Sequence, residues 1–485
     1  MHRFAPVLHV LGLVILLFSF AMLAPLLTAF FARDAAQFAF DESFVLTFVA
    51  GVTLWLVGRR WRRELKARDG FLLVILVWAC LPAFATMPFL IYAPAMSFTD
   101  AYFETMSALT TTGATVMTGL DTLPSSLNLW RHLLNWLGGM GIIVLAVAIL
   151  PMLGIGGRQL LKAEVPGPIK DSKLTPRIAD TAKLLWVVYA ALTGLCILAL
   201  KLAGMDWFDA ICHAFAAMSL GGFSTHDASV GYFNSPVIEA VLIFFMLVAA
   251  LNFVTHFMAF RQRSLGAYLQ DPEVSGALGL ITLSTLGISL YIWQSGVYPE
   301  FLTALRHVSF NLVSLATDCG FVSVDFNTWP VFAPMWMLFL SCVTASSGST
   351  GGGIKMIRAM LMFRQGVREL EQQLHPAARL PVKISGHAVP NQIVFAVQAF
   401  VMMYVGTVIA MTLVLLASGL DFTSAFSAVI ACINNAGPGL NEVGPATTYA
   451  GLSDFQTWIL SFTMLLGRLE LFTVFVLFTR SFWRA

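Results

Sequence analysis

At 485 residues, with 58% hydrophobic side chains, 11% charged ones and a mean hydropathy of +0.80, the chain is far too apolar for an ordinary soluble globular domain. A formal net charge of +2 offers no basic surface for a nucleic-acid partner. The six cysteines (Cys80, Cys196, Cys212, Cys319, Cys342 and Cys432) lie in apolar surroundings without a C-x-x-C pair, which argues against a disulfide framework or a zinc site. What remains is an all-α polytopic protein with the lipid bilayer as its solvent.

The first apolar run, residues 7–31, is longer than the roughly 7–15 residues of a signal-peptide core and reads as a retained span. A second span, residues 44–57, closes on Arg59, Arg60, Arg62, Arg63, Lys66 and Arg68, a block that the positive-inside rule places in the cytoplasm. These two spans make up residues 1–70. A third span, residues 71–92, leads outward to AYFETMSALTTTGA, residues 101–114, a segment too short to cross a bilayer. It runs through Thr110, Thr111 and Thr112 and stops at Gly113. Glycine takes backbone angles that crowd other residues, so such an end lets successive carbonyls turn toward one axis. That arrangement can coordinate a dehydrated cation. A Thr-Gly end is also an ordinary glycine cap of a helix. The next span, residues 133–153, returns inward past Gly138, Gly139 and Gly141 and completes a unit of span, half-crossing and span over residues 71–160.

The unit recurs three times, over residues 161–265, 266–375 and 376–485. Spans at 184–202 and 237–260 flank DWFDAICHAFAAMSLGG, which ends at Gly222. Spans at 278–293 and 331–363, the latter broken, flank ALRHVSFNLVSLATDCG, which ends at Gly320. Spans at 393–417 and 457–478 flank SAFSAVIACINNAG, which ends at Gly437. The four glycines recur at roughly a hundred residues, the length of a two-helix hairpin plus a re-entrant loop. Ten spans are expected, the two extra leading transmembrane helices and eight that flank four half-helices set in pseudo-fourfold arrangement around one pore. Non-helical backbone at membrane depth is tolerated where it lines water or is buried in protein. Half-helix C-termini aimed at the membrane centre favour a cation there. The loop at 154–183, with Arg158, Lys162, Lys170, Lys173 and Arg177, and the terminal Arg480 and Arg484 put both termini in the cytoplasm.

Several polar residues at membrane depth invite two readings each. Glu104, His213 and Asn311, with Ala428 in the fourth unit, share one position relative to the four glycines and fit either a proton relay or a brace for the half-helices. Asp318 could add charge to an ion site or bond backbone amides. The run from Ser346 through Ser347, Gly348, Ser349, Thr350, Gly351 and Gly352 to Gly353 interrupts the returning span of the third unit. It fits a close-packed crossing of small side chains. An unwound loop is the better reading for so many in succession, because each Gly costs about 1 kcal/mol relative to Ala in a helix. Lys355, just beyond, is expected to snorkel to the cytoplasmic interface. Arg468 falls within the last span, where a charge costs at least about 2.5–3.5 kcal/mol. Glu470 is the nearest acid but points to another face of the helix. Arg468 then serves as a structural ion pair, a barrier or a clamp on the loop. No H-E-x-x-H occurs, and Ser347-Gly348-Ser349 lacks a G-x-S-x-G elbow, so no enzyme is expected.

TTTGA, SLGGF, TDCGF and NNAGP, with SSGSTGGGIK in the third unit and GRLEL in the fourth, resemble the Trk/Ktr/HKT superfamily of potassium transporters. The resemblance covers nearly the whole chain, including two leading spans that the shorter Ktr-type subunits lack. It implies potassium ion uptake across the bacterial cytoplasmic (inner) membrane, one pore per subunit, a homodimer, and a cytosolic RCK-type nucleotide-binding gating subunit (TrkA-like). It implies no organic cofactor in this chain. The family filter maps onto Thr111, Thr112 and Gly113, onto Leu220, Gly221 and Gly222, onto Asp318, Cys319 and Gly320, and onto Asn435, Ala436 and Gly437. Their side chains differ so widely that the potassium ligands should be backbone carbonyls. A Ser at the first glycine position accompanies sodium selectivity in plant relatives, and here the residue is Gly113. The filter departs from the Thr-Val-Gly-Tyr-Gly pattern of tetrameric channels, so selectivity over sodium is expected to be modest. The resemblance places Arg468 in the cavity below the filter, so that it and the loop from Ser346 to Gly353 form the gate. A potassium symporter coupled to protons or sodium is the alternative. The basic stretches 158–177 and 358–383 are expected to dock the gating subunit or to bind anionic lipid.

Overall fold

The computed structural model describes residues 5–61, 63, 65–144, 178–378 and 380–484. They are almost entirely helical; one hairpin, Lys383–Ile384 paired with His387–Ala388, is the sole sheet among them. The first crossing, Pro6–Ala32, packs against the second, Gln37–Trp61. Glycines allow the close approach: a β-carbon at Gly51 would lie 2.6 Å from the Leu16 amide nitrogen, and one at Gly58 2.5 Å from the His9 Cα. Small residues bring helices together in lipid, where apolar burial gives no net drive.

Each of the four units then follows one plan. A long helix enters: Ala67–Ala85 with Met87–Tyr92, then Ile178–Leu202, Pro272–Gln294 and Asn391–Ala417. A half-helix follows: Phe98–Leu109, Trp207–Ser219, Phe301–Ala316 and Phe422–Ile433. At 1.5 Å per residue such helices span about 18–24 Å, short of the roughly 30 Å hydrocarbon core. Three of them begin at a side-chain cap, in which Ser97, Asp206 and Asp421 accept the amides of Asp100, Asp209 and Ser424.

The returning helices differ from expectation. Residues 237–260 and 457–478 read as uninterrupted spans, yet Pro236–Ala250 turns through 97° into Phe253–Gln262, and Asp454–Arg468 turns through 107° into Phe472–Phe478. At the first break Asn252 caps the following helix through the Val254 amide (2.8 Å). At the second, Glu470 and Leu471 both adopt left-handed backbone, with φ of 55° and 49°. Six helices among the described residues are long and apolar enough to cross a membrane, and eight if each bent pair is one crossing. The other two of the ten expected crossings are Ser125–Val144, beyond which the described residues stop, and Phe332–Ser341, after which the chain is non-helical until Met356. The basic segment 158–177 lies outside the described residues.

Candidate functional site

The four half-helices end in the same way. The amides of Thr112, Gly221, Cys319 and Ala436 each bond the carbonyl five residues earlier, on Ser107, Ala216, Ser314 and Ala431, all at 2.8 Å. The residue just before each of these is left-handed: Thr111 (φ 55°), Leu220 (54°), Asp318 (64°) and Asn435 (57°). This is a Schellman ending. An ordinary glycine cap would put glycine at that left-handed position, but all four glycines come two residues later, at φ of 82°, 61°, 90° and 89°. They are therefore not there to cap the helices.

What requires glycine is the neighbouring unit. A β-carbon at Gly113 would lie 2.5 Å from the Gly221 carbonyl oxygen, and one at Gly437 would lie 2.7 Å from that of Thr112. At Gly222 it would overlap the carbonyl of Cys319, and at Gly320 that of Ala436. The contacts run from the first unit to the second, third and fourth and back to the first, which closes a ring. Its members are the carbonyls of the residues preceding each glycine, Thr112, Gly221, Cys319 and Ala436. All twelve residues of the expected filter are brought together at this ring. A cavity of about 270 Å³, lined by all four glycines, adjoins it. His226 at this mouth stacks on Tyr232 and bridges Asp121 (2.5 Å) and Asp209 (3.2 Å). Its hydrogen bond holds the exposed Asp121 carboxyl below the usual carboxylate range.

The position shared by Glu104, His213 and Asn311 braces the chain that leaves the ring. The Glu104 carboxylate accepts the Val116 amide (3.0 Å), and Asn311 Oδ1 accepts the Ser323 amide (3.1 Å). His213 Nε2 lies 3.0 Å from Ser224 Oγ. In the fourth unit, where Ala428 has no polar group, the adjacent Ser427 Oγ accepts the Leu440 amide (2.8 Å). Three of the four bonds reach the amide three residues past the glycine. These groups spend their hydrogen bonds locally, as a brace does. Arg131, on the returning helix Ser125–Val144, is 1% exposed and pairs with Glu104 at 2.8 Å. It also donates to the Ser224 carbonyl (3.2 Å) and lies over Phe223. A buried acid needs a cation partner, and that requirement was the available signal.

On the opposite side of the ring from that cavity, the Gly/Ser stretch is an unwound loop. The Ser346 amide donates to the Ala250 carbonyl (3.0 Å), and the Phe253 amide donates to Gly348 (3.2 Å). The break at 251–252 thus bonds the loop directly. Asp318 Oδ2 accepts the Gly352 amide (3.0 Å), and Thr350 Oγ1 reaches the Met218 carbonyl (3.3 Å). A β-carbon at Gly352 would overlap the Asn434 carbonyl. The loop therefore touches the ends of the second, third and fourth half-helices. Arg468, 3% exposed, closes the circuit: Nη1 donates to the Thr350 carbonyl and Nη2 to the Gly138 carbonyl of the first unit, both at 2.9 Å. Its partners are backbone oxygens, not Glu470.

Two expectations are corrected here. Lys355 does not snorkel: it is 6% exposed, with Nζ 3.2 Å from Glu470 Oε1. Arg358 is no surface charge either, since it is fully buried, 2.7 Å from Glu470 Oε2 and stacked over Phe400. The left-handed turn at 470–471 sends the Glu470 carboxylate back to these two cations.

The family model for TrkH, a cation transport protein, matches residues 36–297 and 298–484. The Trk system potassium uptake protein TrkH of Salmonella typhimurium is 46% identical over 483 residues, 99% of this chain and 100% of that protein. The protein of the same name from Escherichia coli K12 is 45% identical over the same span. The crystal structure of the potassium transporter TrkH from Vibrio parahaemolyticus matches with a TM-score of 0.91 at 44% identity, covering 99% of this chain and 100% of that one. With a closed ring of four units, a family model over both halves and relatives aligned end to end, this multi-pass membrane protein belongs to the TrkH family of cation transport proteins.

Proposed function

We propose that the chain takes up potassium through the carbonyl ring, with the loop from Ser346 to Gly353 and Arg468 as its gate. The observation that carries this reading is the ring itself: four carbonyls, each backed by a glycine of the next unit, at the C-terminal ends of four half-helices. Carbonyl oxygens replace the hydration shell of an alkali cation, and the partial negative charge of helix C-termini favours a cation over an anion. The relatives are named potassium uptake proteins, which supports potassium as the cargo. An ion leaving the ring inward meets the guanidinium of Arg468 and the Thr350 carbonyl it holds. Repulsion between unit charges at about 4 Å is of order 4 kcal/mol at an effective dielectric near 20. Conduction then requires the loop and Arg468 to part. The same reading includes a homodimer in the bacterial cytoplasmic membrane, both termini inside, and a cytosolic nucleotide-binding subunit that moves the loop.

The test is flux into liposomes containing the purified protein alone, under separate potassium, sodium and proton gradients. Arg468→Ala and deletion of residues 346–351 should each raise basal potassium flux about tenfold or more, as expected when a barrier falls by upwards of about 1.4 kcal/mol. Two folded variants that conduct no faster than wild type would move the gate elsewhere. Flux that follows the proton or sodium gradient instead of potassium's own would replace passive conduction by coupled transport.

A further inference from the structure

Glu273 stands at the start of the helix Pro272–Gln294, far from the ring in sequence and absent from any reading of the chain's polar residues. Its side chain is fully buried. A single oxygen, Oε1, accepts two backbone amides, from Ser347 at 2.9 Å and from Ile357 at 3.1 Å. Those amides belong to the two feet of the Gly/Ser loop: Ser347 on its way in, and Ile357 in the first turn of the helix that follows. The other oxygen is buried without a hydrogen-bond partner among the described residues. This carboxylate is spent on the loop. Glu273 is itself held in place, because Asp271 Oδ1 accepts its amide (3.0 Å) and Asp271 Oδ2 takes the hydroxyl of Thr255 (3.0 Å), beyond the break in the second unit.

We propose that Glu273 is the positioning residue that pins the two feet of the intramembrane loop together and so holds its tip, from Ser349 to Gly353, across the ion path. The proposal rests on the reading of that loop as the gate. Without the pin, the loop would keep its tip contacts, to Arg468 and Asp318, and its feet would be left to two backbone bonds, from the Met356 amide to the Ala345 carbonyl (2.9 Å) and from the Ile354 amide to that of Cys342 (2.8 Å). The nine residues between Ser347 and Ile357, four of them glycine, have little local structure to resist their separation. A glutamine would keep one acceptor oxygen but set an NH2 group where the buried, unpartnered oxygen now lies, so a carboxyl suits the task better than an amide side chain.

The experiment uses the full-length protein in liposomes without a gating subunit. Glu273→Ala should raise basal potassium flux about tenfold, in keeping with the loss of two buried hydrogen bonds. Glu273→Gln, which keeps a neutral acceptor, should fall between Ala and wild type. Each is repeated with Ser349→Cys, and labelling of that thiol by a membrane-impermeant maleimide from the inner side is measured per folded protein. A purely structural role would lower the yield of folded protein without speeding that labelling. Faster flux with faster labelling, in the order Ala, Gln, wild type, supports the pin. Wild-type rates in both variants, while deletion of residues 346–351 conducts faster, would overturn it and leave the gate in place. If the deletion conducts no faster either, the gate reading itself fails and the pin with it. Should the Ala variant not fold, the Gln variant decides alone, and wild-type flux and labelling in it would overturn the proposal.

Discussion

Gly113 shows how tightly one residue is determined. Its φ of 82° is a conformation that costs other residues about 1–2 kcal/mol, and its missing β-carbon leaves room for the Gly221 carbonyl. Gly113→Ser must therefore push that carbonyl aside and add a hydroxyl beside it. We expect the potassium-to-sodium flux ratio of the purified variant to fall about fivefold, the change given by a relative barrier shift of about 1 kcal/mol. An unchanged ratio would separate this glycine from selectivity. The glycine itself was visible in the sequence because its pattern repeats four times. The residues that brace the ring were less visible: Arg131 and Glu104 stand 27 positions apart, and nothing short of their meeting marks them as a pair. Lys355 misled for the same reason, since its partner Glu470 lies in another unit and a lone lysine near a helix end ordinarily reaches for water.

Helices are where pattern reading succeeded most and where it failed in an instructive way. All four half-helices were legible, since each is a short apolar segment stopped by a polar turn and a glycine. The breaks at 251–252 and 469–471 were not, because neither stretch holds a Gly or Pro and single polar residues such as Asn252 and Glu470 occur within unbroken helices too. The first break is made by a bond to Gly348, and the second by two ordinary residues in left-handed backbone, so both are tertiary effects. The unwound loop, by contrast, announced itself by composition. Glycines on the returning helices carry their own message. A β-carbon at Gly138 would overlap the Leu109 carbonyl, and one at Gly467 that of Ile433, the last residues of the first and fourth half-helices. Gly287, on the entering helix of the third unit, has open space around its β-carbon position. Gly138→Ala and Gly467→Ala should thus destabilise the protein by about 1–3 kcal/mol, the usual cost of overpacking. Gly287→Ala should leave stability unchanged or raise it by up to about 1 kcal/mol, since the methyl meets open space inside a helix. Thermal unfolding in detergent measures the difference, and equal melting temperatures for all three variants would refute this account of the packing.

At the scale of the whole molecule, the burial of Arg358 redraws the surface that the proposed gating subunit would meet. Arg364 and Lys383 are exposed, whereas Arg358 is locked beneath them by Glu470. On the reading that this face is cytoplasmic, Arg364→Glu combined with Lys383→Glu should lower co-purification with the nucleotide-binding subunit while preserving the fold. Arg358→Glu should instead cost about 3–5 kcal/mol of stability, because it removes a fully buried cation and sets a second acid beside Glu470. Undiminished co-purification of the double variant would rule this face out.

The ring of glycines and carbonyls carries one more consequence. In an assembly of four identical subunits, a single codon change alters every quadrant of the filter at once. Here the quadrants are four stretches of one polypeptide, so each is free to drift by itself. Thr112, Gly221, Cys319 and Ala436 already differ in side chain while presenting the same carbonyl. On the proposal that this ring selects the ion, ion preference can be adjusted in quarter steps, one unit at a time.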